Sequence, residues 1–317
     1  MTALLRLVGR RLAVLPIMVL GITFLVFFVM QFAPGDEAIN ALGESSSEAA
    51  REAYRQANGL DDPLLARYWG FLVGLVHGDL GSTVPPAAPV TDLVSTAFPL
   101  TLQLTFLGLA ISIVLATVLG VTAALYRDRW PDQLIRIVSI GGIAMPSFWL
   151  AILLIQQFAL GLGWFPTGGY VNPQDSLTGW LQSMWLPALS LAVPVASSLT
   201  RVVRTAMVEE LDRDYVRTAI GGGLPMSVVV GRNVFRNALI TPITVLGLRV
   251  GYLIGGAVVI EVIFDLPGMG KLILNGVTNN DINLVQGVTL TVALAFVVVN
   301  IVVDVLYLLV NPRIRTV

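Results

Sequence analysis

Six stretches of mostly apolar residues dominate this chain: roughly 12–32, 99–125, 135–160, 185–206, 238–262 and 284–310. Each is about 20 residues or longer, and a helix of that length covers the ~30 Å hydrocarbon layer of a bilayer. Lipid offers no hydrogen-bond partners, so a spanning segment must satisfy its own backbone, and runs of this kind specify helices. Composition agrees, because a chain of 317 residues that is 56% hydrophobic and only 12% charged cannot cover a soluble core with polar surface. The expected fold is all-α, a polytopic membrane protein with six transmembrane helices. The first run exceeds a signal-peptide core, and no small-residue cleavage site precedes the polar APGDEA, so it is read as a span.

Six spans put both termini on one side, and arginine decides which. One set of flanks carries Arg6, Arg10, Arg11, Arg127, Arg129, Arg136, Arg201, Arg204, Arg213, Arg217, Arg232, Arg236, Arg313 and Arg315. The opposite set carries only Arg51, Arg55, Arg67 and Lys271. The expected topology is therefore a bacterial plasma-membrane protein with both termini and the segment 207–237 in the cytoplasm. The acid-rich segment 33–98 falls outside. Within it, 45–57 is compatible with helix, 63–76 has apolar residues at helical spacing, and GDLGSTVPPAAP is irregular. Either an ordered cap or a flexible loop fits that pattern, and the cap is the reading taken. Pro146, Pro187 and Pro194 interrupt apolar segments, as bends around a pathway or as ordinary kinks.

Much chemistry is excluded. There is no cysteine, so disulfides, thiol catalysis and cysteine metal sites are absent. His77 is the only histidine and reads as a plain loop residue. Lys271 is the only lysine, and in PGMGKLIL it has neither the spacing nor the following Ser or Thr of a phosphate-binding loop. No cofactor, no metal and no nucleic acid is expected, and the chain is not expected to be an enzyme.

The cytoplasmic interruption DYVRTAIGGGLPMSVVVGRNVFRNALITP, Asp214 to Pro242, carries the most specific pattern. Asp214 can cap a helix start, and Gly221, Gly222 or Gly223 can supply the left-handed residue that ends it. The roughly two-turn helix between them is too short to stand alone and must be held by packing. Large Tyr215 and small Ala219 suit a knob resting in another protein's groove. On these grounds alone a solvated loop fits equally well.

Several strings bear on that choice. They are RRLAVLPIMVLGITFLVFFVMQFAPGD, GLDDPLLARYWGFLVGLVHGDLG, PSFWLAILL, LPALSLA, DYVRTA, GGAVVIEVIFDLPGMGKL and NIVVDVLYLLVNPRIR, in that order along nearly the whole chain. Together they resemble the dipeptide/oligopeptide permease family of binding-protein-dependent ABC importers, the branch that includes nickel and glutathione importers. The resemblance implies a type I importer transmembrane domain, taken as one permease domain over 1–317. It also implies that the helix at Asp214 couples to an ATPase through Asp214, Tyr215, Arg217, Thr218, Ala219, Gly223 and Leu224. The implied partners are a second homologous permease, two ATP-binding subunits or a fused ATPase, an extracytoplasmic solute-binding protein, the lipid bilayer and a peptide substrate. Two departures stand out. Ile220, Gly221 and Gly222 replace the family's basic, small and lysine residues, and Thr241 precedes Pro242 where the family has Leu or Ile.

Arg249, Glu261 and Asp304 also fall within spans, where exposure to lipid is costly. Asp304 and Glu261 match acidic positions of the resembled family and are read as architectural. Arg249 falls where the family has an uncharged residue, which makes it the sharper pathway candidate, with Asp304 or the carboxylate of a passing peptide as its partner. A lone ion-coupled secondary carrier, or a membrane scaffold, is the competing reading, although no inverted repeat is visible.

Overall fold

The structure, a computed structural model, describes residues 2–32 and 36–310, without the side chains at 2–8, 10–12, 304 and 306–310. The APGD residues Ala33, Pro34 and Gly35, and Arg313 and Arg315, thus lie outside the described residues. In chain order the helices begin α1 (Thr2–Gln31), α2 (Glu37–Leu42), α3 (Glu48–Ala57), α4 (Leu64–Val76) and α5 (Val90–Leu125). Next come α6 (Trp130–Ala144) and α7 (Ser147–Leu154), which runs into a π-helical turn at Ile155–Gly161, then α8 (Leu177–Leu211) and α9 (Asp214–Gly221). The chain continues through α10 (Met226–Val228), a second π-helical segment (Val229–Val234), α11 (Phe235–Ala238), α12 (Ile240–Ile263), α13 (Met269–Thr278) and α14 (Ile282–Val310). The all-α expectation holds among the described residues.

Among the described residues, five helices are long and apolar enough to cross a membrane, and a sixth span results if the bent pair α6–α7 counts as one. The third apolar run is thus not one straight helix. Its halves meet at 105°. The cause is local: a residue before proline is pushed out of the α region, and Met145, ahead of Pro146, sits at φ −85°, ψ 119°. Two other runs extend beyond their apolar cores, because α5 starts at Val90 and α8 at Leu177.

The chain divides into two compact units, Met1–Thr101 with Leu266–Val297, and Leu102–Asp265 with Val298–Val317. In the first, the long segment after α1 is ordered. Its two expected helices appear as α3 and α4, and α2 is an addition. Asp36 Oδ1 caps α2 by accepting the Ala38 N–H at 2.9 Å, and Ser47 Oγ caps α3 at Ala50. The stretch Gly78–Pro89 is irregular as expected, with left-handed Gly78 and Gly81 and a single bridge between Ser82 and Pro89. Its anchor is Asp281, nearly fully buried, which accepts the Val84 N–H at 2.9 Å and the Leu284 N–H at 2.9 Å. Val90, Val94, Ala97, Met269, Leu284 and Val288 form the core of this unit. His77 closes α4, its Nδ1 2.8 Å from the Val73 carbonyl.

In the second unit α8 is the hub, packed against α6, α7 and α12. On the α5 side the seam is built of small residues four apart. A Cβ on Gly108 would meet Leu191 at 3.3 Å, and one on Gly120 would lie 2.6 Å from Val203 Cβ and 3.0 Å from the Thr200 carbonyl. Between them, Ser112 Oγ donates to the Ala192 carbonyl at 3.1 Å, and Ala116 is buried. Small residues let backbones approach where lipid removes any hydrophobic gain from association.

Two outcomes follow. Gly120→Val should destabilise the folded protein by roughly 1–3 kcal/mol, the usual range for overpacking. Gly141→Ala, with nothing within 4 Å of the new Cβ, should be near neutral; denaturant unfolding in detergent compares them. The second concerns pH. The Arg55 guanidinium bonded to Asp36 holds that carboxyl below its ordinary value. A depressed folded pKa means the ionised carboxylate is favoured by the fold. Its contribution is therefore present above the unfolded pKa and lost as pH falls below about 4. Asp36→Asn should lower the unfolding temperature at pH 6, and the gap to the parent should close below that point.

Candidate functional site: the segment between α8 and α12

The site begins where α8 stops. Asp212 ends α8, Arg213 takes an extended conformation at φ −70°, ψ 147°, and α9 starts at the next residue. This corrects the expected role of Asp214. Arg213 occupies the capping position without a side-chain cap bond, while Asp214 stands in the first helical turn. There its negative charge still favours the helix N-terminus. Its carboxylate is fully exposed and 3.9 Å from the largely exposed Arg217 guanidinium, a pair that contributes little.

The end of α9 follows the glycine expectation. Gly223 adopts φ +82°, a conformation a side chain would strain. The chain closes back through Gly223 N–H to the Ile220 carbonyl at 2.9 Å and Leu224 N–H to the Ala219 carbonyl at 3.2 Å. Packing holds the short helix. Val216 is buried in a cluster with Val203, Met207, Val229, Val234 and Ala238. Ala219, one turn on, packs against the same cluster. The small residue expected to face a partner's groove therefore faces the protein's own core. Helical spacing from Val216 carried that signal.

The outward residues differ from those the knob picture favoured. Ile220 and Leu224 are 48% and 46% exposed, followed by Met226 at 49% and Val228 at 40%. Thr218 is also exposed, and its hydroxyl donates back to the Asp214 carbonyl at 3.1 Å. Tyr215 is a tether: its hydroxyl donates to Glu210 Oε2 at 2.8 Å and accepts from Asn237 Nδ2 at 3.3 Å. One phenol thus joins the end of α8, α9 and α11. What results is a two-turn helix, fixed from below and presenting apolar side chains outward.

Two ion pairs that sequence reasoning missed frame the same end. Arg204 of α8 grips Asp132 of α6 with both ends of its fork, Nε to Oδ1 at 2.6 Å and Nη2 to Oδ2 at 2.5 Å. Asp132 is fully buried, and its Oδ2 also accepts the Asp128 N–H at 3.0 Å. Arg127 reaches Asp212 at 2.9 Å. The pairs are 72 and 85 residues apart in sequence, and the only prior signal was an aspartate inside the WPDQ start of α6.

Arg249 lies in α12, half-buried, and its Nη2 donates to Ser198 Oγ of α8 at 2.9 Å. A hydroxyl, rather than an acid, is thus the partner seen. The Asp304 side chain lies outside the described residues. Glu261 is completely buried. Among the described residues no group of three or more acidic or histidine side chains could hold a metal ion.

Comparison with known proteins bears on what this arrangement serves. Residues 116–316 match the family described as "Binding-protein-dependent transport system inner membrane component", and residues 4–105 match its N-terminal counterpart. A peptide transport system permease protein of Brucella abortus (strain 2308) is 40% identical over 99% of both chains. The glutathione transport system permease protein GsiC of Escherichia coli (strain K12) is 37% identical over 97% of this chain and 98% of its own. A solved amino acid ABC transporter structure aligns with 70% of this chain and 94% of its own at 16% identity, with a TM-score of 0.49, too distant to carry weight. A chain of apolar helices matched almost end to end in this way is a multi-pass membrane protein, and it belongs to the inner-membrane components of binding-protein-dependent transport systems.

Proposed function

We propose that this chain imports short peptides as one of two membrane subunits of an ABC transporter. It supplies half of the pathway and passes conformational change between that pathway and an ATPase. Hydrolysis of ATP belongs to the partners: two ATP-binding subunits or a fused pair, working with a second homologous permease and an extracytoplasmic solute-binding protein. The chain acts as one permease domain, with 33–98 outside, 207–237 in the cytoplasm and both termini inside. The observation that carries the substrate reading is the end-to-end match to one permease named for peptides and another named for glutathione. Glutathione is itself a small peptide, so both names fall within one substrate chemistry.

The coupling surface is α9 and its exit. Tyr215, Arg217, Thr218, Ile220 and Leu224 form the outer side, Ala219 and Val216 hold it from beneath, and Gly223 sets the exit angle. Asp214 stays with this set through charge at the helix start. Ile220 and Gly222 stand where the resembled family has its basic residue and lysine, and Ile220 with the nearby Leu224 offers an apolar contact instead, so the ATPase groove that fits here is apolar. Apart from this set, the reading gives Arg249, whose Nη2 donates to Ser198 Oγ, the role of meeting a peptide carboxylate along the pathway.

The test is uptake of radiolabelled dipeptides, oligopeptides and glutathione into proteoliposomes holding this chain with its partner subunits. ATP-dependent uptake is expected from the complex and none from the chain alone under a proton gradient; gradient-driven uptake by the lone chain overturns the import reading. In the same assay, the double variant Ile220→Asp with Leu224→Asp should cut ATPase association by roughly tenfold or more, as expected for losing contact residues. The helical content of the chain should stay unchanged. If association and uptake match the parent, α9 is only a connector.

A further inference from the structure

The arginines of the α6 and α8 ends do more than set topology, because the fold gathers four of them around one groove. A cavity of about 500 Å³ between α6 and α8 is lined by Arg127, Arg136, Arg201 and Arg204, with Asp128 as its one acidic group. Two of the four are already used. Arg204 is held by Asp132, and Arg127 lies 2.9 Å from Asp212 and 3.6 Å from Asp128. Arg136 and Arg201 are different. Both are exposed, and neither makes a hydrogen bond or ion pair within the described residues. Thr205 adds a hydroxyl to the same wall. Arg136 acts on Asp132 through space alone, so the groove carries two guanidinium forks outside its hydrogen-bonded pairs, and a fork matches the paired oxygens of a phosphate.

The groove is also firmly built. The buried Asp132–Arg204 clamp fixes α6 to α8, and Asp132 holds the Asp128 turn at the rim. Its second chemistry is apolar. Ile140 lines the cavity one turn beyond Arg136, about 6 Å further along the helix. Leu134, Ile137 and Val138 on the same helix are each more than half exposed. Trp130 at the helix start is 76% exposed, in the position such residues take at a membrane interface. Cationic forks directly followed by open aliphatic surface suit an amphiphile with an anionic head. A soluble anion would use only the first half of that surface.

We infer that this groove is a binding site for an anionic glycerophospholipid of the inner leaflet. Arg136 and Arg201 grip its phosphate, and its acyl chains lie along Ile137 and Ile140. The side of the membrane follows from the topology proposed above, whereas the chemistry of the site depends only on the residues named.

The test uses the full chain in lipid nanodiscs. Trp130 emission is isolated as the difference between the parent and Trp130→Phe, since the chain has six tryptophans. Quenching by acyl-brominated phosphatidylglycerol is then compared with quenching by brominated phosphatidylcholine at equal mole fraction. Phosphatidylglycerol is expected to be preferred over phosphatidylcholine by about thirtyfold, the scale of two juxtamembrane cations. Arg136→Gln with Arg201→Gln should abolish the preference, whereas Arg136→Lys with Arg201→Lys should keep part of it. Arg129→Gln with Arg232→Gln, which removes equal charge outside the groove, should leave it intact. Equal loss in that control would reduce the effect to general surface attraction and overturn the site. So would no preference in the parent, or displacement of the lipid by millimolar inorganic phosphate. Retained lipid preference in the Arg136/Arg201 glutamine variant, with slowed peptide uptake by the complex, would reassign these arginines to the pathway. The quenching readout needs neither ATP nor a partner, so its failure leaves the import reading untouched.

Discussion

A peptide N–H or C=O left unpaired in hydrocarbon costs several kcal/mol, and the rest of this structure is arranged around that cost. It makes every long apolar run a helix. It also governs how the one sharply broken run is broken. At Pro146 the lost donor coincides with a turn that Met145 closes by donating to the Gly141 carbonyl, and the next helix restarts as Leu150 donates to the Pro146 carbonyl. Further on, the chain leaves the π-helical turn through Leu162 and Trp164, whose N–H groups reach the Gln157 and Phe158 carbonyls. Once each helix is self-sufficient, lipid supplies no hydrophobic force to join them. Contact distance must do so, and the seam of Gly108, Ser112, Ala116 and Gly120 brings α5 close to α8 for that reason.

Charge is handled by the same economy of partners. Asp132 is wholly removed from water, yet its two oxygens accept two guanidinium bonds and one backbone N–H. Such a pair contributes little net stability against an apolar replacement, but breaking it strands a buried charge. Its structural value is registry: it specifies which turn of α6 meets which turn of α8. The Tyr215 tether does comparable work without charge, joining three helices at the start of α9 through one hydroxyl.

The helices were legible in the sequence because hydropathy and helix length answer to one quantity, bilayer thickness. Their ends were not. Asp92 and Ser95 lie inside α5, and Leu177 to Met184 inside α8, because a helix can continue into water after its apolar stretch has stopped. The bend in the third run was implicit in Pro146, although its angle depends on how α6 and α7 each pack on α8. At the candidate site, the two-turn helix and its glycine exit were readable, since both are local properties of the backbone. The capping role of Asp214 was not, because the chain turns one residue earlier, at Arg213. The facing of Ala219 was within reach from its spacing to Val216. The Arg204–Asp132 and Arg127–Asp212 pairs were beyond reach, since no local pattern connects residues that distant. Nor did the sequence indicate that Arg249 would bond the Ser198 hydroxyl.

The two-residue link between α8 and α9 gives the segment a mechanical meaning. Asp212 and Arg213 leave no slack, and Val216 and Tyr215 lock α9 against the base of α8, so a push on α9 arrives there as a torque. With 35 residues, α8 is a lever arm of about 52 Å, and a tilt of about 5° at its foot would swing the far end by about 4–5 Å. Pro187 and Pro194 sit in the distal two-thirds of that arm, where a softened backbone lets the upper portion yield while the lower portion stays stiff. The rod is thus stiff near its foot and yielding above Pro194, so the two prolines set how much of a tilt at the foot is absorbed before it reaches the far end.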